Sequence, residues 1–162
     1  MYRKILVGFD GSAGAVAALH AAALLARSSV GTVTALWVHA PLPRLAGGAG
    51  EVKAEREAAA AFLARLQRRV HQLASSSGAA ITLDQRTGNP SRMLVRAAEK
   101  GRFDLIVMGH SGHSRLWGRL LGHNTDRVSE NAHCDVLIVR QHPGTTAESA
   151  AVNATPAAPS PL

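Results

Sequence analysis

Residues 104–125 read DLIVMGHSGHSRLWGRLLGHNT, and the fold follows from how this stretch changes character. An apolar run, Leu105 to Met108, breaks into glycine, polar and basic residues. Gly109, Gly112 and Gly122 then fall at the spacing Gly-x2-Gly-x9-Gly, just before a short helical segment. A strand that ends in glycines and leads to a helix N-terminus suits an anion. Bare backbone approaches the ligand closely, and the free N–H groups and dipole of the next helix attract it. The stretch is not a Walker A loop, because no Gly-Lys-Ser/Thr follows. Nor does Gly-x-Gly-x-x-Gly follow the first strand, so the dinucleotide fingerprint is missing.

Working outward, residues 3–9 (RKILVGF) form a first apolar strand that ends at Asp10-Gly11-Ser12. Ser12 is the expected N-cap of a helix over 13–28, with Val16, Leu19, Ala23 and Ala26 on one face and Gly31 as its stop. Residues 32–40 (TVTALWVHA) read as a second strand, and the turn-rich residues 41–50 connect it to a long amphipathic helix over 51–75. Ala59, Phe62, Leu63, Leu66, Val70 and Leu73 mark the buried stripe of that helix, and Arg65, Arg68 and Arg69 lie off it as a solvated face.

Residues 80–86 alternate apolar and polar and read as an edge strand. Asn89-Pro90 starts the next helix and Gly101 is its expected end. The near-continuous apolar run of residues 103–108 reads as a central strand. A helix of about eight to ten residues from Thr125 then leads to a last strand over 135–140. Residues 143–162, rich in Ala, Pro, Thr and Ser, are expected to be a disordered tail after a domain spanning 1–142.

Five strands alternating with four helices predict a parallel α/β sheet covered on both faces. Ligands of such sheets sit beyond the carboxyl ends of the strands, where the strand order reverses. With the first and fourth strands adjacent there, the Asp10 loop and the glycine stretch line one crevice. The anion is then a nucleotide phosphate, and Asp10 faces ribose hydroxyls or an adenine amino group. Arg115 and Arg119 are candidates to close over the phosphates, with His110, Ser111, His113 and Ser114 alongside.

The remaining signals narrow the function classes. The 162 residues carry a net charge of +7, but aromatics make up only 4%, which gives no stacking platform for RNA or single-stranded DNA. The single cysteine, Cys134, excludes an intrachain disulfide and a zinc–cysteine cluster, and reads as a core residue in a cytoplasmic protein. His110, His113 and His123 have only Asp126 nearby as a carboxylate, so no metal site is expected. No apolar run approaches a membrane span. No catalytic constellation emerges from spacing alone.

The two loops together, KILVGFDGS at the start and DLIVMGHSGHS after the fourth strand, with LLGHNTDRVSENAHCDVLIVR at the end, resemble the single-domain universal stress proteins. The resemblance covers residues 2–141. It implies a Rossmann-like three-layer sandwich with strand order 3-2-1-4-5, and a homodimer formed through the last strand. The ATP-binding members carry Gly-x2-Gly-x9-Gly-Ser/Thr. By that resemblance Asp10, with Gly11 beside it, and Val38 contact the nucleoside, and Met108, Gly109, Ser111 and Gly112 line the ribose and phosphate path. Gly122, His123 and Asn124 hold phosphates, and Thr125 supplies a hydroxyl nearby. The expected ligand is ATP with Mg2+, in a regulatory stress-response protein with at most slow hydrolysis.

This sequence departs from the family at His123, which replaces a Ser or Thr hydroxyl. An imidazole still donates to phosphate. The alternative is a dimeric protein-interaction module whose pocket is vestigial.

Overall fold

The computed structural model describes residues 1–39, 49–110 and 123–140. Among them, strands and helices alternate as β1 (Lys4–Gly8), α1 (Ala13–Ser29), β2 (Thr32–His39), α2 (Ala49–Ser77), β3 (Ala80–Thr87), α3 (Pro90–Gly101), β4 (Leu105–Gly109), α4 (His123–Asn131) and β5 (Asp135–Val139). The strands form one parallel sheet in the order β3-β2-β1-β4-β5. The expected Rossmann-like order, the edge position of β3 and the interior position of β4 are therefore all observed. The residues expected to form the tail lie outside the described part.

Alternation along the central strands splits the core into two layers, because successive side chains point to opposite faces. Ile5 and Val7 of β1, with Leu105 and Val107 of β4, pack under α1 and α2 against Leu19, Leu66, Val70 and Leu73. Leu6 and Ile106 point the other way, toward Leu94 of α3 and Val128 of α4. The central strands are apolar on both faces because helices cover both.

Helix α1 approaches the sheet through small residues. Ala15, Ala18, Ala22, Ala23 and Ala26 are buried beside Leu19, so Leu19, Ala23 and Ala26 lie on the buried face as expected, whereas Val16 is only half-buried. Ser12 caps the helix as expected, its hydroxyl accepting from the Ala15 N–H at 3.2 Å. Asn89 does the same for α3, accepting from the Arg92 N–H at 3.2 Å.

The helix ends differ from expectation by one residue each. Val30 (φ 52°) and Arg102 (φ 51°) take the left-handed cap conformation, in place of Gly31 and Gly101. The two glycines are required for space instead. A Cβ on Gly31 would stand 2.9 Å from the Tyr2 and Arg3 carbonyl oxygens, and one on Gly101 would stand 2.4 Å from the Phe103 ring.

Candidate functional site

The strand register shows where the sheet opens. The β1–β2 pairing runs on to Gly8↔Leu36, and β4–β5 runs on to Gly109↔Val139. Between β1 and β4 it stops at Val7↔Val107. The two central strands therefore part at their carboxyl ends, at the point where strand order reverses. A cleft of 490 Å³ lies there.

Its walls come from several elements. Leu36 and Val38 of β2, Leu94 of α3 and Met108 of β4 give it an apolar side. Asp10 is the sole carboxylate among the lining residues. It is exposed, and one oxygen accepts from the Ser12 N–H at 2.9 Å, which braces the turn into α1. The lining also includes residues 12–15 at the start of α1, Pro90 at the start of α3, and Asn124 and Thr125 in the first turn of α4. Three helix N-termini thus converge on one hollow. Each presents the positive end of a helix dipole, so the cleft favours an anion without any lysine or arginine in its described walls.

Of the expected site residues, the cleft brings together Asp10, Val38, Met108, Gly109, His110, Asn124 and Thr125. Thr125 is buried, at 3% exposure. Gly11 does not line the cleft. With φ +78° it turns toward α2, where a Cβ would come within 2.7 Å of Leu66 Cδ2. Ser111, Gly112 and Gly122 lie outside the described residues, as do Arg115 and Arg119. His123 opens α4, two residues earlier than the expected start. Leu36, Pro90 and Leu94 line the cleft unanticipated. Leu36 could have been found two residues before Val38 on the same strand face, and Pro90 from its place at a helix start.

Gly109 has a second duty. A Cβ there would stand 2.2 Å from the carbonyl carbon of Gly14 and 2.3 Å from its oxygen. The first glycine of the motif is thus needed to seat α1 on the end of β4, whatever the ligand. Close seating is also what brings the α1 N-terminus into the cleft.

Nothing else in the described structure competes as a reactive centre. The Cys134 thiol is pushed up by partial burial and by the neighbouring Asp135 and Asp104 carboxylates, so it is a poor thiolate. No group of three metal-binding side chains occurs among the described residues. No helix among them is long and apolar enough to cross a membrane.

A family model described as the universal stress protein family matches residues 1–140. A universal stress protein of Methanocaldococcus jannaschii is 34% identical over 146 residues, covering 87% of this chain and 84% of the relative. A solved universal stress protein in complex with cAMP is 30% identical, with a TM-score of 0.69 over 85% of this chain and 97% of its own. The universal stress protein UspA from Lactobacillus plantarum is 27% identical, with a TM-score of 0.71 over 86% of this chain and 98% of its own. Sequence and sheet order agree with these matches, and the chain belongs to the universal stress protein family.

Proposed function

We propose that the cleft binds an adenine nucleotide, ATP, and that the protein is a nucleotide-dependent regulator in the stress response. The observation that carries this reading is the convergence of the α1, α3 and α4 N-termini on a hollow with one apolar wall and one carboxylate. The apolar wall of Leu36, Val38, Leu94 and Met108 suits a purine face. The Asp10 carboxylate suits ribose hydroxyls or the adenine amino group, which donate hydrogen bonds. The helix N-termini suit the phosphates. The likeness to a solved relative in complex with cAMP supports the same ligand class.

Mg2+ would enter with the phosphates, since it keeps much of its water and needs few protein ligands. Hydrolysis is at most slow, because the described walls hold no lysine to clamp a phosphate and no carboxylate beyond Asp10 to orient water. The protein would act in the cytoplasm as a homodimer through β5, one of the two edge strands of the sheet, where Leu137 is 36% exposed. ATP would then shift the dimer between states that it binds unequally.

The test is to denature freshly purified protein and identify any released nucleotide by chromatography. An adenine nucleotide at close to one per chain is the expected result. An empty supernatant, together with partner binding that ignores added ATP, would instead favour an interaction module with a vestigial pocket.

A further inference from the structure

A second hollow, of 400 Å³, lies against helix α2. Arg65, Arg68 and Arg69 line it, with Phe62 and Leu66 of the same helix. Its opposite wall is Asp10-Gly11, so Asp10 borders both hollows. The three arginines are exposed. The ion pairs among the described residues are Lys53–Glu57 and Arg86–Asp84, so no described carboxylate lies within ion-pair distance of these guanidinium groups. Arg65 is ordered by stacking over the Phe62 ring at 5.2 Å, and Phe62 in turn packs on the buried Trp37 at 5.3 Å. The basic face therefore forms one wall of a concave site, with one arginine pre-placed.

We propose that this hollow is a second anion site, which takes a small anion carrying two or more phosphate groups. Arg65 is three residues from Arg68 and four from Arg69, so on the helix it neighbours both at about 5–6 Å, and the three positive charges together favour an anion with several charges over a singly charged one. Arginine's planar fork matches phosphate oxygens two at a time. The volume falls in the small-ligand range, about 300–1,000 Å³. Asp10 on the opposite wall repels a longer polyanion laid across the site, which disfavours nucleic acid. The site rests on α2 and does not require that the first cleft bind nucleotide. A ligand here would nevertheless press on the loop that lines that cleft, because Leu66 packs against Gly11.

Calorimetric titration of the full chain with tripolyphosphate, and separately with a sugar bisphosphate, tests the site and distinguishes a phosphoanhydride chain from a phosphorylated metabolite. Saturable binding of at least one probe is expected, weakened about tenfold or more in the Arg68→Gln/Arg69→Gln protein. Potassium sulfate at equal ionic strength should give no saturable heat. In a Trp117→Phe background, Trp37 is the only tryptophan left, and its fluorescence should change with the same midpoint. A circular-dichroism melt of the arginine variant should match the parent, since both positions are exposed. Four results would each overturn the proposal: no binding of either probe, equal affinity in the variant, sulfate binding as well as the probes, or tighter arginine-dependent binding of a single-stranded oligonucleotide.

Discussion

The two ends of the β1–β4 pair are built in opposite ways. At the amino edge, side chains stitch neighbouring elements together. Asp104 accepts from the backbone N–H groups of Arg3 at 2.7 Å and Lys4 at 2.8 Å. Lys4 Nζ donates to the Gly101 carbonyl at 2.5 Å, Tyr2 donates to Asp135 at 2.8 Å, and the Ser29 hydroxyl donates to the Tyr2 carbonyl. At the carboxyl edge the strands part after Val7↔Val107, and glycine lets α1 sit directly on β4. One edge holds the sheet together, and the other exposes backbone and helix termini to a ligand.

The largest effect expected from breaking this arrangement is at Gly109. Gly109→Ala places a methyl group 2.2 Å from Gly14 and forces α1 away, at a cost of about 3 kcal/mol. Urea unfolding measures it. A near-neutral result would mean that this glycine serves only the ligand.

Next comes the amino-edge stitch. The Lys4 and Arg3 N–H groups hold the Asp104 carboxyl below its ordinary value of 3.8, so its contribution is present above that value and is lost as pH falls through the lowered one. Asp104→Asn should cost about 1 kcal/mol at neutral pH, since an exposed carboxylate is well screened. The gap between parent and variant should narrow as the solution is acidified below pH 3.8, read from melts across that range.

A smaller change of opposite sign is expected at the same edge. Val30 holds a left-handed cap while 95% exposed. Val30→Gly relieves that strain at some entropic cost, for a net gain of about 0.5 kcal/mol by thermal melting. The smallest effect should come from Gly14→Ala. There a new Cβ meets His110 O at 3.2 Å, and better helix propensity offsets the squeeze, so stability should stay within about 0.5 kcal/mol. Gly14 and Gly109 face each other, so the pair of variants tests which backbone lacks room.

Much of this was legible in the sequence, for identifiable reasons. The apolar run at Leu105–Met108 marks a strand covered on both faces, the alternation after Ala80 marks an edge, and Ser12 and Asn89 announce helix starts through hydrogen bonds made within three residues. What was not legible depends on approach in space. Gly31 and Gly101 look like helix stops, yet Gly31 is small because the Tyr2–Arg3 backbone presses on it and Gly101 because the Phe103 ring folds back over it, and the cap shifts to Val30 or Arg102. Ala15, Ala18 and Ala22 of α1 are not part of the expected stripe, yet they are buried where the helix meets the sheet. Gly11 belongs to the right loop but turns toward α2, and α2's arginines, exposed as expected, also line a hollow against that loop, which no helical periodicity could show.

The most direct test of the account is calorimetric titration of ATP into the nucleotide-stripped full chain and its Asp10→Asn variant. The variant keeps an oxygen for the Ser12 N–H and loses the carboxylate charge. The account predicts one saturable site per chain, weakened about tenfold in the variant by loss of a charge-assisted hydrogen bond to the nucleoside. No heat with ATP, or identical affinities in the two proteins, would contradict it.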